Sequence, residues 1–224
     1  HPNIQHLYEI ANKPTRKVIG LMSGTSLDGL DIALCTITGA GKATKVKLDE
    51  FITVPYTPDL KEKLLTVFSQ KTVSLEQLCV LNPWLALQHV SMINHSLQQW
   101  GVDAAQVDLI ASHGQTIYHA PKSLHPNDAF GPATLQIGDG DHIAVATGII
   151  TVSDFRQKHI AAGGEGAPLS LYGDYLLCAH ETENRILLNI GGIANFTILK
   201  AGSSLEQVFS SDTGPGNTLM DAYT

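Results

Sequence analysis

Residues 18–34 read VIGLMSGTSLDGLDIAL, which is an apolar strand, a turn of glycine and small polar residues, and a second apolar strand. The same pattern recurs at residues 186–199, which read ILLNIGGIANFTIL. Such a turn leaves backbone N–H groups uncovered by side chains, and uncovered N–H groups are what a phosphate requires. Two of these turns in one chain predict that a nucleotide is held between two lobes.

The composition indicates a soluble globular chain. Of 224 residues, 43% are hydrophobic and 16% are charged, which is ordinary for a protein that buries a core as one large domain or two small ones. The net charge of -7 argues against a nucleic-acid partner. No apolar stretch reaches the roughly 20 residues of a membrane span. Cys35, Cys79 and Cys178 are too scattered for a disulfide framework, so we expect reduced thiols and a cytoplasmic location.

Hydrophobic periodicity predicts an α/β protein in which helices flank a mixed sheet. One helix is predicted from Pro58, and a longer one from Ser74, with Gln77 at capping-box spacing. Pro83 is expected to kink or split the longer helix, and Gly101 to end it. Further elements are predicted as strands at 51–54, 107–111, 135–137 and 149–152, and as a helix at 141–147.

The residues that follow the strand at 107–111 read SHGQT, and we predict that they lie at its end, with His113 in a loop. Binding residues concentrate in such loops. A glycine cluster occupies 161–168, and the motif SDTGPGN at 211–217 leads into the start of a helix. Because that helix is cut off at Thr224, we expect this chain to be the N-terminal part of a longer protein.

Taken together, these motifs resemble the signature of the anhydro-N-acetylmuramic acid kinases, a family of the actin-like ATPase superfamily. The likeness spans Ile19 to the end of the chain, and its motifs occur in the order of the family. They are MSGTSLDGLD at 22–31, SHGQT at 112–116, DFR at 154–156, the cluster at 161–169, NIGG at 189–192 and DTGPGN at 212–217.

The resemblance implies an actin-like (ribonuclease H-like) α/β fold with two lobes. Residues 1–183 would form the first lobe, and residues 184–224 would begin the second. It further implies a kinase that uses ATP and Mg²⁺, opens the internal bond of 1,6-anhydro-N-acetylmuramic acid with water and phosphorylates O6. The product would be N-acetylmuramic acid 6-phosphate, in the recycling of cell-wall peptidoglycan. The expected partners are ATP and the amino sugar, and a homodimer is left open.

The first turn is expected to hold the ATP phosphates, because bare amides beside the γ-phosphate suit phosphoryl transfer. The second turn would close on the nucleotide from the other lobe. In many actin-like kinases an Asp opens each turn and helps to hold Mg²⁺; here Met22 and Asn189 stand at those places, so the metal ligands are not assigned. The predicted cofactor-binding residues are Gly24, Thr25, Ser26, Leu27, Asp28, Gly29, Leu30, Asp31, Gly191 and Gly192.

Asp212 matches the catalytic Asp of the family and is the predicted base for water at the anomeric carbon. Without the resemblance, a cap of the adjacent Gly-Pro-Gly turn would be the favoured interpretation of Asp212. Asp154 is the second candidate, although a salt bridge to Arg156 explains its position equally well. The predicted sugar contacts are His113, Gln115, Gln136 and Arg156.

Two positions depart from the pattern of the family. His159 stands where an Asp is usual, and Glu165 stands where a Gln is usual. Both lie close to the presumed sugar site, and a neutral His159 can accept a hydrogen bond but supplies no fixed negative charge. The histidines at 113, 119 and 125 lack the spacing of a metal site.

Three other interpretations stay open at this point. The first is another actin-like sugar or carboxylic-acid kinase. The second is a serine hydrolase that uses Ser26, which is disfavoured because the sequence GTSLD at 24–28 lacks the second Gly of a nucleophile elbow. The third is a non-catalytic fragment that has no adenosine pocket.

Overall fold

The computed structural model describes residues 2–125 and 127–223. The α-helices of these residues are α1 (Pro2–Asn12), α2 (Pro58–Leu65), α3 (Leu75–Trp100), α4 (Gly140–Thr147), α5 (Phe155–Ala161), α6 (Leu171–Cys178) and α7 (Asn217–Tyr223). The strands are β1 (Thr15–Ser23), β2 (Gly29–Thr38), β3 (Lys45–Pro55), β4 (Leu109–Ala120), β5 (Ala133–Ile137), β6 (Thr151–Val152), β7 (Arg185–Ile190), β8 (Ile193–Leu199) and β9 (Phe209–Pro215). No helix among them is long and apolar enough to cross a membrane.

The first sheet has the strand order β3-β2-β1-β4-β5, and β6 pairs with β4. Strands β1, β2 and β3 are antiparallel neighbours, whereas β1 and β4 run parallel. Strand β5 is antiparallel to β4, and β6 is parallel to it. The predicted first strand pair and the mixed sheet with flanking helices are therefore confirmed.

Helix α3 packs against this sheet and closes its core. The helix begins after Ser74, whose side chain accepts a hydrogen bond from the Gln77 amide, and it ends at Gly101 in a left-handed conformation, as predicted. Of the two effects predicted for Pro83, the split is wrong, because α3 is one continuous helix; the kink stays a prediction. Leu81 and Leu85, on either side of the proline, are both buried in the same core. Their burial offsets the roughly 3 kcal/mol that an internal proline costs.

Strand β4 is longer than predicted, and this corrects the place of His113. The strand does not end at Ala111 but runs to Ala120, so His113 lies in a strand and not in a loop. At Gly114, with φ +71°, the strand bends, and its register with β1 shifts. Beyond the bend β4 pairs with β5, where Gln115 faces Ile137. Because these polar residues are covered by neighbours distant in sequence, their polarity gave a false indication of a loop.

The second sheet is antiparallel and has the order β7-β8-β9. The predicted second strand pair is confirmed, with its turn at Gly191 and Gly192. Helix α7 begins at Asn217 as predicted, and its predicted cut-off at Thr224 lies outside the described residues. Helix α6 contacts this sheet, since Thr197 Oγ1 in β8 donates to Asp174 Oδ2 at 2.9 Å. The division into lobes at residue 183 stays a prediction.

Candidate active site

The turn between β1 and β2, residues 24–28, presents uncovered amides. Leu27 has φ +54° and a buried side chain, and its amide donates to the Gly24 carbonyl at 3.3 Å, so the turn is held from below. Thr25 and Ser26 at its tip are exposed. In the described ranges, the amides of these two residues have no hydrogen-bond partner. Adjacent free N–H groups of this kind form an anion-binding concavity.

Two carboxylates flank this turn. Asp28 Oδ1 accepts hydrogen bonds from Ser26 Oγ at 2.6 Å and from the Gly29 amide at 3.0 Å. Asp31 Oδ1 accepts one from Thr53 Oγ1 at 2.6 Å. Both carboxylates lie within electrostatic range of the Tyr56 hydroxyl, whose pKa is raised chiefly by burial and further by these two charges. The turn therefore combines free amides, which can bind an anion, with two carboxylates, which can face a cation bound to that anion.

Gln115, a predicted sugar contact, lies fully buried beneath the turn. Its Nε2 atom donates to the Gly24 carbonyl and to the Thr116 carbonyl, each at 3.0 Å. Its Oε1 atom accepts a hydrogen bond from Ser23 Oγ. All the polar atoms of this amide are thus engaged with the protein, and the structure joins a predicted sugar residue to the predicted phosphate turn.

The hydrogen bonds continue from Ser23 into helix α3. The Ser23 and Tyr56 hydroxyl oxygens are 2.6 Å apart, and the Tyr56 oxygen lies 2.8 Å from His89 Nε2. The rings of Tyr56 and His89 are stacked, with centroids 6.1 Å apart. Sequence reasoning missed His89, although it falls on the apolar face of α3, four residues from both Leu85 and Ile93. A histidine on such a face is the signal that could have identified it.

The burial of His89 predicts acid-sensitive stability. Desolvation lowers the pKa of His89 to about 4, below its ordinary value of 6.5. Between these two pH values the unfolded chain binds a proton that the folded chain does not, so stability falls as the pH decreases from 6.5 towards 4, by about 3 kcal/mol over the window. Urea unfolding at pH 7 and pH 4.5 would measure this loss. His89→Gln, which cannot titrate, should lose less; equal losses in both proteins would contradict the assignment.

A small polar cleft brings together three of the predicted residues, His113, Gln136 and Asp154. It has a volume of about 100 Å³. Gln136 Nε2 donates to the hydroxyls of Thr116 at 3.0 Å and Thr134 at 2.8 Å. Gln136 Oε1 is buried and has no partner among the described residues. The remaining lining residues are Asn82, Gly114, Ile137, Gly138, Asp139, Gly140 and Ser153.

Arg156 is held against this cleft by His113. Arg156 Nε donates to His113 Nε2 at 2.8 Å, and Nη1 donates to the Gly166 carbonyl at 2.7 Å. His113 Nδ1 lies 2.7 Å from the Gly114 carbonyl, so Nδ1 carries the proton of the ring. Burial, and then the charge of Arg156, lower the pKa of His113. The neutral His113 thus orients Arg156.

The two departures from the family pattern both make structural hydrogen bonds. His159 Nδ1 accepts from the Gly166 amide at 3.1 Å. Glu165 Oε2 accepts from the Lys122 amide at 3.2 Å. Both side chains therefore hold the glycine cluster at 161–168 in place. His159 does so through the accepting ring nitrogen of a neutral histidine.

Asp212 lies in strand β9, with an exposed side chain, and faces Asn195 in β8. The strand continues into Gly216, whose amide donates to the Gly192 carbonyl at 2.8 Å. The Asn217 amide donates to the Gly191 carbonyl at 2.7 Å. These bonds seat the second turn against the start of α7, so the structure groups the predicted base with the predicted second phosphate turn.

His119 in β4 connects this group electrostatically with the cleft. Its pKa is lowered chiefly by burial and then by Arg156, and it is raised in part by Glu165 and Asp212. The charges of Asp212 and Arg156 therefore both act on the imidazole ring of His119, although the two residues are 56 positions apart in the sequence. Sequence reasoning considered His119 only as a metal ligand, since nothing in its local sequence indicates these neighbours.

A serine-hydrolase mechanism finds no support in the site. Ser26 Oγ donates to Asp28, whereas a serine nucleophile needs a base that takes its proton, most often a histidine. Within residues 2–125 and 127–223, no group of three or more His, Cys, Asp or Glu side chains could hold a metal ion. The site combines free backbone amides, the carboxylates of Asp28 and Asp31, and Arg156.

Two solved structures show weak likenesses to this chain. A reductive activator for corrinoid, iron-sulfur protein is 11% identical, covers 92% of this chain and 32% of its own, and has a TM-score of 0.40. YeaZ from Pseudomonas aeruginosa is 14% identical, covers 90% of this chain and 68% of its own, and has a TM-score of 0.27. At these scores neither likeness carries an argument about the site.

Sequence relatives are much closer. An anhydro-N-acetylmuramic acid kinase of Pseudoalteromonas atlantica is 58% identical over 99% of this chain and 55% of its own length. One of Caldanaerobacter subterraneus is 44% identical over 97% of this chain and 55% of its own. The chain thus spans about half the length of these curated relatives. A family model described as anhydro-N-acetylmuramic acid kinase matches residues 16–224. The fold is mixed α/β, and the chain belongs to the anhydro-N-acetylmuramic acid kinase family.

Proposed function

We propose that this chain carries the phosphate turn, sugar cleft and catalytic base of an ATP-dependent kinase for 1,6-anhydro-N-acetylmuramic acid. The enzyme opens the anhydro ring with water and phosphorylates O6 to give N-acetylmuramic acid 6-phosphate, in peptidoglycan recycling in the cytoplasm. The observation that carries the proposal is the first turn, where the free amides of Thr25 and Ser26 stand in the motif of the family.

ATP is proposed to place its phosphates on residues 24–31, with Gly191 and Gly192 closing from the second turn. Asp28 and Asp31 would repel a bare triphosphate, and this repulsion supports a bound Mg²⁺, which typically takes one or two carboxylates together with phosphate oxygens. We propose these two carboxylates as its nearest protein groups. When bound, the ion would neutralise charge on the transferred phosphoryl group.

The sugar is proposed to enter the cleft beside His113. Gln136 Oε1, which lacks a partner in the described part of the chain, would accept from the acetamido N–H or a ring hydroxyl. Arg156, oriented through its Nε and Nη1 atoms, would offer its outer N–H groups to the lactyl carboxylate. Gln115 lies buried beneath the turn, and we propose for it a supporting role in place of a direct sugar contact.

Asp212 is proposed to take a proton from the water that attacks the anomeric carbon. The bond between that carbon and O6 then breaks, and O6 accepts the γ-phosphoryl group while ADP leaves. Asp212 is exposed on β9, lies within electrostatic range of His119 and stands next to the second turn, and this position supports the role of base. We propose that residues 1–183 form the first lobe and that residues 184–224 begin the second. Light scattering of the full-length protein would measure whether it forms a homodimer.

Incubation of the full-length protein with ATP, Mg²⁺ and the anhydro sugar tests the function. We expect ADP and the sugar 6-phosphate in equal amounts, measured by coupled assay and mass spectrometry. A panel of acceptors, which includes N-acetylmuramic acid without the anhydro ring and N-acetylglucosamine, provides the comparison. Preference for another acceptor would favour a different actin-like kinase, and failure with every acceptor would contradict catalysis.

A further inference from the structure

Helix α3 touches both parts of the candidate site through two polar side chains seven residues apart. Asn82 Oδ1 accepts from the Gly138 amide at 2.8 Å, in the wall of the sugar cleft. His89, two turns further along, contacts Tyr56 and through it the hydrogen bonds under the phosphate turn. Because residues seven apart lie on one face of a helix, a single rigid element supports both regions.

A series of hydrogen bonds links His89, Tyr56, Ser23 and Gln115 to the turn, and the orientation of the Gln115 amide determines which group donates in each of them. Gln115 Nε2 faces two carbonyls, so its other atom is the oxygen, which only accepts. Ser23 therefore donates to Gln115 and accepts from Tyr56, which has one proton to give. The Tyr56 oxygen must then accept from His89 Nε2–H, so the ring of His89 is protonated at Nε2. The other ring nitrogen, Nδ1, is buried without a partner among the described residues.

The far end of this hydrogen-bond chain sets the direction of an amide at the surface. The peptide that joins Gly24 and Thr25 is planar, and in a trans peptide the C=O and N–H point in opposite directions. Gln115 draws the Gly24 carbonyl inwards at 3.0 Å. The Thr25 N–H is thereby turned outwards, to where a phosphate would bind.

We propose that Tyr56 and His89 are positioning residues for ATP, which act through Ser23 and Gln115 to orient the amide of Thr25. This inference rests on the proposed function, because it takes ATP phosphates as the ligand of the turn. Neither residue touches the nucleotide. Their loss should weaken ATP binding and leave the affinity for the sugar unchanged.

Tyr56→Phe in the full-length protein is the direct test, because it removes one hydroxyl and keeps the ring. Loss of a hydrogen bond of this kind should raise the Kd for ATP roughly ten-fold, measured by calorimetry, and should raise the KM for ATP to match. The KM for the sugar should change less than about two-fold. Tyr175→Phe is the matched control, since Tyr175 is also buried but lies in α6, outside this hydrogen-bond chain.

His89→Leu should weaken ATP binding in the same way, whereas His89→Gln should restore much of it, because a side-chain amide can donate to Tyr56. Circular dichroism and melting curves establish whether each variant is folded. If Tyr56→Phe does not fold, Ser23→Ala takes its place. A lower melting temperature with unchanged ATP affinity in these variants would overturn the inference and assign the residues to the core alone. Failure of the proposed function is a separate result, since it appears as a wild-type protein that makes no sugar phosphate.

Discussion

Asp212→Asn is expected to lower the turnover of the anhydro sugar by about 10³-fold, because an amide cannot take the proton of the attacking water. The side chain is exposed on strand β9, and asparagine has nearly the same shape, so the fold should be unaffected. ATP binding should stay within about two-fold of wild type, since the phosphates are proposed to bind at other residues. Steady-state kinetics with ATP calorimetry separates the two effects.

Asp154→Asn is the informative comparison. Asp154 has φ +63°, a conformation that asparagine tolerates, and it lines the polar cleft in which the sugar is proposed to bind. If Asp154 were the base, its variant would lose the larger share of turnover and the Asp212 variant would stay active, which would reject Asp212. Asp59→Asn, on the exposed side of α2, controls for the loss of one surface carboxylate and should change turnover by less than about two-fold.

The second large effect concerns Gly24 in the first turn and Gly29 at the start of β2, where alanine should have different consequences. A Cβ at Gly29 would lie 2.5 Å from the Val54 carbonyl oxygen, a backbone atom of strand β3 that cannot move aside as a flexible side chain could. Gly29→Ala should therefore destabilise the protein by about 1–3 kcal/mol and lower its melting temperature. Gly24 has room for a Cβ, because the nearest atom would be Ser26 Oγ at 3.7 Å, an ordinary van der Waals distance.

Gly24→Ala should consequently keep the melting temperature and still bind ATP about ten-fold more weakly, because the new methyl group occupies the surface on which phosphates are proposed to lie. Gly131→Ala, where a Cβ meets nothing within 4 Å, controls for the change in backbone entropy. ATP binding by the Gly24 variant at wild-type strength would show that the phosphates lie elsewhere.

The sequence indicated those features that depend on neighbours along the chain. The two strand pairs with glycine turns, the Ser74 cap of α3 and the start of α7 all follow from local pattern, and the structure contains them. The motifs of the family could also be recognised from the sequence, because each is a contiguous stretch of residues. The predicted site residues within these motifs stay predictions until the variants above are measured.

Tertiary structure alone decided how these local features meet. The contact between Gln115 and Gly24 joins residues 91 positions apart, and that between Arg156 and His113 joins residues 43 apart. No local pattern specifies such pairs, since each depends on which strands become neighbours. The same reason explains why SHGQT was predicted as a loop: its polar groups find partners only once β1, β4 and β5 are assembled. Local chemistry determined the elements, and the packing of distant strands determined which polar groups were buried and which were left for a ligand.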